Sequence, residues 1–126
     1  MDLASYFENT QGFGVLSTAD NEGNVDSAIY ARPHVLEDGT LAMIMRDRLS
    51  HKNLQSNPKA AYMFIENVPG YQGKRFFLTK IGEEQDQDKI NALRRRSYTN
   101  HDHDQSASFL VYFRIEKELP LIGSGN

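Results

Sequence analysis

The 126-residue sequence predicts an α+β domain: five or six antiparallel strands curled into a small barrel or strongly curved sheet, with short helices between and beside them. Three observations carry this. Apolar segments of strand length recur along the chain, separated by clusters of Asp, Asn and Gly that favour turns. The first three such segments fall within forty-five residues, and their links are too short for the crossover that a parallel pair needs. Helical spacing of apolar residues is confined to brief stretches, and neither an internal repeat nor a low-complexity linker interrupts the chain.

In order, Leu3, Phe7 and Tyr6 recur at helical spacing in the first ten residues and predict a short amphipathic helix, a lid on the core, broken before Gly12 and Gly14. Residues 13–19 and 25–31 predict a hairpin around Asp20-Asn21-Glu22-Gly23-Asn24. Pro33 ends its pairing, residues 37–40 turn again, and Leu41 to Met45 form the third strand. A short helix follows, stopping at Asn57-Pro58 because a residue before proline disfavours the helical region. Residues 60–65 are apolar on both faces, which predicts a central, deeply placed strand. After a glycine-containing loop, residues 75–81 predict a strand with Phe77 and Thr79 on one face and Phe76, Leu78 and Lys80 on the other. Residues 83–98 predict a helix opened by acids and closed by Arg94-Arg95-Arg96, an order that complements the helix dipole. Residues 109–115 give the last clear strand, with 119–122 as an extension.

Composition narrows the function. The length suits one domain spanning 1–126, and the absence of cysteine excludes disulfides, thiolate metal sites and cysteine nucleophiles. Fourteen Lys and Arg against seventeen Asp and Glu give a net charge of −3, which leaves no broad electrostatic footprint for nucleic acid. The N-terminus carries acids where a secretory signal would carry bases, and no apolar run approaches the roughly 18 residues of a membrane span. The expectation is a soluble cytoplasmic protein.

The richest stretch runs from Leu41 to Pro58: an apolar strand, then Arg46, Arg48 and Lys52, then a helix start with Ser50 and Asn53. A helix start exposes unpaired N–H groups and a partial positive charge, so these side chains suit a phosphate dianion. The plain alternative is a solvated basic loop. His101-Asp102-His103-Asp104 has the look of a metal tract, but on a polar loop without further ligands it carries no metal assignment. None of the four histidines has a visible Ser or Cys partner, so no catalytic residue is nominated.

Val15-Leu16-Ser17-Thr18-Ala19-Asp20 with Gly23, then Ala31-Arg32-Pro33, Asp38-Gly39-Thr40-Leu41, Ser50-His51-Lys52-Asn53-Leu54 and Asn57-Pro58 together resemble the pyridoxamine 5′-phosphate oxidase-like split-barrel flavoproteins. The resemblance covers roughly residues 10 to 82. It implies a six-stranded antiparallel split β-barrel with short flanking helices, forming a homodimer with FMN at the subunit interface. Carried over by position, Tyr30, Ala31 and Arg32 would lie along the flavin ring edge, Ile44 and Met45 beside it, and Arg46, Ser50, His51, Lys52 and Asn53 around the phosphate and ribityl chain. Lys52 precedes Asn57 by five residues, where many members place the Lys about seven before, which shifts the helix start. The resemblance does not by itself imply pyridoxamine phosphate oxidation.

An FMN-dependent oxidoreductase or electron carrier is thus the leading expectation, its electron donor and substrate unspecified. A haem- or deazaflavin-binding module on the same barrel, without enzymatic turnover, is the alternative, and an interaction protein without cofactor is the third. For the dimer, Phe109, Val111 and Phe113, with Leu119 and Leu121, offer apolar area for a mating surface.

Overall fold

The computed structural model of the protein describes residues 2–94 and 108–123. Helix α1 (Leu3–Asn9) is capped by Asp2, whose carboxylate accepts from the Ser5 N–H, and Phe7 is its buried residue. Strands β1 (Gly12–Ala19) and β2 (Val25–Tyr30) form the first hairpin. Asp20 builds its turn by accepting from the N–H groups of Glu22 and Asn24, and Gly23 takes the positive φ of +87° that closes it. A two-residue strand β3 (His34–Val35) pairs with the start of β4 (Leu41–Arg46). Helix α2 (Leu49–Ser56) leads to β5 (Lys59–Glu66), which pairs with the long β6 (Gly73–Glu84). Helix α3 (Gln87–Leu93) is capped by Asp86, and β7 (Ser108–Pro120) closes the order.

All seven strands lie in one antiparallel curled sheet of order β2-β1-β5-β6-β7-β4-β3, so the expected six-stranded barrel is corrected to seven among the described residues. The added strand is β3, too short for any period-two pattern to reveal and immediately after Pro33. A second correction concerns residues 83–98: Glu83 and Glu84 belong to β6, because pairing with Val111 and Leu110 of β7 draws that strand past the acids that suggested a helix start. The described helix there is Gln87–Leu93. Arg95, Arg96 and the tract from His101 to Asp104 lie outside the described residues.

One core fills the concave side of the sheet. Leu16, Tyr62, Phe64, Phe76 and Leu78 from one half meet Leu41, Met43, Met45, Val111 and Phe113 from the other, with Phe7 of α1 and Leu54 of α2 between them. Phe7 stands edge-on to Phe64 at 5.3 Å and to Tyr62 at 6.4 Å, which makes α1 a plug in the curled sheet. Val111 and Phe113 are fully buried here, so they cannot form the mating surface expected of the last strand. A smaller cluster of Ala42, Ile90 and Leu110 packs α3 against the opposite face of β4 and β7. No helix among the described residues is long and apolar enough to cross a membrane.

Candidate functional site: the cleft at the start of helix α2

The sheet does not close on itself, and the gap between the edge of β2 and strand β4 is where α2 begins. A cleft of about 260 Å³ opens there, lined by Asp26, Ala28, Ile29 and Tyr30 of β2, Ile44 and Arg46 of β4, and Arg48, Leu49 and Ser50 at the helix start. Tyr30 and Ser50 both line this gap. Burial raises the Tyr30 phenol above its ordinary range and the Asp26 charge adds to this, while Ser50 and the Arg48 charge partly oppose it, so the hydroxyl is a proton donor at neutral pH.

Arg48 occupies the N-cap of α2 and gives no side-chain cap, leaving the first-turn N–H groups without the side-chain acceptor that usually serves them. Two arginines, a buried serine and an uncapped helix start therefore border the same cleft. Asp26 lies on its wall and opposes that positive potential.

A second, larger cleft of about 620 Å³ lies on the other side of Tyr30, lined by Gln11, Gly12, Phe13, Ile29, Tyr30, Ala31, Arg32 and Asn67. Arg32 anchors its floor: Nη1 donates to the carbonyls of Phe7 at 2.9 Å and Thr10 at 3.0 Å, tying the β2–β3 link to the end of α1. The Tyr62 hydroxyl donates to the Ala31 carbonyl at 3.0 Å and fixes the same link from beneath.

Of the ten residues nominated from sequence, Tyr30, Ile44, Arg46 and Ser50 share the smaller cleft, and Tyr30, Ala31 and Arg32 share the larger. The other four do not line either. Met45 points into the core and is fully buried. His51 turns away to stack on Phe109 at 3.8 Å and to meet Glu83. Asn53 is buried and donates to the Thr18 hydroxyl at 3.1 Å, and Lys52 is exposed. Asp26, Ala28 and Ile29 escaped nomination, although alternation in β2 places Asp26 and Ala28 on the same face as Tyr30. Arg48 was legible as part of the basic run, and its N-cap position is what brings it to the cleft.

Among the described residues no group of three or more His, Asp or Glu side chains is arranged to hold a metal ion. Neither a family model nor a curated protein matches the chain. Solved structures do match. An FMN-binding protein from Syntrophomonas wolfei superposes with a TM-score of 0.75 at 21% identity, over 95% of this chain and 84% of its own. The fold is the pyridoxamine 5′-phosphate oxidase-like split barrel. A candidate pyridoxamine 5′-phosphate oxidase from Lactobacillus delbrueckii shares this split barrel with a TM-score of 0.67 at 21% identity, over 92% of this chain and 88% of its own. An F420 reductase shares it with a TM-score of 0.67 at 14% identity, over 94% and 97%.

Proposed function

We propose that the protein binds FMN, with the phosphate at the start of α2 and the ring beside β2, between two copies of the chain. The observation that carries this is that Arg46, Arg48 and Ser50 line one cleft at an uncapped helix start in the gap of a split barrel. These groups fit a phosphate in kind: two cations, a hydroxyl and helix-start N–H groups border one cleft. The smaller cleft, at about 260 Å³, falls below the roughly 300–1,000 Å³ of whole-ligand pockets and suits a head group, whereas the larger falls within it. Tyr30 stands between the two and can donate to a ligand that spans both.

A second copy would cover the outer face of β2, β1, β5 and β6. Val15 pairs there with Ile29 on one side and Met63 on the other, and Phe13 pairs with Ile65. Phe13 is 50% exposed and Ile29 70%, an apolar strip that borders the larger cleft. FMN, when bound, would supply one- or two-electron redox chemistry, and the chain would position it and set its electrostatics. The likeness to an F420 reductase favours a deazaflavin as the second reading.

Isothermal titration with FMN and riboflavin tests the phosphate site. Removing one charge-assisted hydrogen bond costs on the order of 1.5–3 kcal/mol, so Arg46→Ala and Arg48→Ala should each weaken FMN by about ten- to hundredfold and leave riboflavin nearly unchanged. Equal loss of both ligands, or no loss of either, refutes the assignment. The visible spectrum of the purified protein separates FMN from deazaflavin and from haem.

A further inference from the structure

We infer that Glu83, which lies outside both clefts, is a positioning residue that sets the orientation of the first turn of α2; its effect on ligand rests on the phosphate reading above. The Glu83 carboxylate gathers three donors. His51 Nε2 lies 3.0 Å and 3.1 Å from its two oxygens, Gln55 Nε2 donates to it at 2.9 Å, and Lys80 Nζ forms an ion pair with it. His51 and Gln55 are one turn apart, so a single carboxylate of β6 holds one side of α2 at two points. Gln55 also donates to the His51 carbonyl at 3.1 Å, closing the group.

A carboxylate facing Nε2 requires that nitrogen to carry its proton. The ring plane is set independently by Phe109, stacked within 13° of parallel. Asp47 lies 3.8 Å from Nδ1 on the other edge. His51 is thereby fixed in direction and rotation, and Ser50, the adjacent residue, is fixed with it toward the cleft.

The sheet is bent to allow this. In a regular strand Lys80 and Glu83, three apart, would point to opposite faces. The register shifts between Lys80, opposite Phe113, and Gly82, opposite Tyr112, leaving Ile81 as the extra residue. Lys80 and Glu83 then face the same side as Phe113 and Val111, over the end of the barrel where α2 docks. An eight-residue helix has little stability of its own, so its orientation follows from such anchors.

The test compares Glu83→Gln with Glu84→Gln, its neighbour, which bonds Tyr112 and Lys89 instead. Amide exchange of Lys52, Asn53 and Leu54, the first hydrogen-bonded amides of α2, should speed up without ligand in Glu83→Gln and stay at the wild-type rate in Glu84→Gln; unchanged exchange in Glu83→Gln overturns the proposal. Titration should then show FMN weakened about tenfold with riboflavin within about twofold, in line with what loss of a supporting residue costs at a built site. Equal weakening of both ligands overturns the positioning role and leaves a merely structural one. Glu83→Asp, which keeps the charge, should recover part of the FMN affinity. If Glu83→Gln does not fold, His51→Gln removes the same link from the α2 side and is read by the same two measurements. A wild-type protein that binds FMN and riboflavin equally would sink the phosphate reading alone, because amide exchange still reports whether Glu83 orients α2.

Discussion

Gly14 lies on the inward face of β1, directly against the ring of Tyr62 on β5. A Cβ at this position would sit 1.9 Å from the Tyr62 hydroxyl oxygen, 2.3 Å from Cζ and 2.6 Å from Cε1. Tyr62 has nowhere to go: it is fully buried and stands edge-on to Phe7. In Gly14→Ala the ring must therefore shift by an ångström or so, and it loses its bond to the Ala31 carbonyl. Overpacking typically costs about 1–3 kcal/mol and a lost hydrogen bond about 1 kcal/mol, so a destabilisation of about 3 kcal/mol is expected. Tyr62→Phe alone should cost about 1 kcal/mol. Tyr62→Leu removes the ring altogether, and in that background Gly14→Ala should cost less than about 0.5 kcal/mol, a coupling expected only between residues in contact. Urea unfolding followed by circular dichroism measures each corner of the cycle, with an unchanged m-value as the check on two-state behaviour. A Gly14→Ala variant within about 0.5 kcal/mol of wild type, or one whose cost is the same in the Tyr62→Leu background, refutes the clash with Tyr62. Because Tyr62 anchors the link that carries Ala31 and Arg32, the single variants should also alter the larger cleft.

Burial alone would raise the Glu83 carboxyl, but hydrogen bonds from Lys80, Gln55 and His51 outweigh it and hold it at about 2, below the ordinary 4.5. A depressed carboxylate stabilises the fold above its unfolded pKa, so the stability gap between wild type and Glu83→Gln should be full at pH 6 and shrink as pH falls from about 4.5 toward 2; a gap that widens on acidification contradicts this. Arg32→Ala removes both guanidinium bonds to the end of α1 and should cost about 2 kcal/mol in urea unfolding, with faster proteolysis around residues 10–11. Wild type should sediment as a dimer at micromolar concentration and Ile29→Asp as a monomer, since burying an unpaired charge in the apolar strip is prohibitive; a monomeric wild type removes the dimer from the proposed function.

Features that depend on a few neighbouring residues were legible in the sequence. Asp20 and Gly23 determine the first turn, Asn57-Pro58 ends α2, and alternation in residues 75–81 correctly sorts Phe76 and Leu78 inward from Phe77. The basic run at Arg46, Arg48 and Ser50 was visible too, because charge clustering at a strand-to-helix junction is local. What tertiary structure alone decided is direction. Ser50 and His51 are adjacent, yet one faces the cleft and the other faces Glu83, and which does which depends on how α2 docks across the gap. Met45 follows an apolar run that looks uniform, but strand pairing turns its side chain into the core. β3 exists only because β4 lies beside it, and the bulge at Ile81 that brings Lys80 and Glu83 to one side arises from pairing with β7. Sequence periodicity sets which residues share a face, whereas the partner that each face meets is set by contacts between segments far apart in the chain, such as the 32 positions that separate His51 from Glu83.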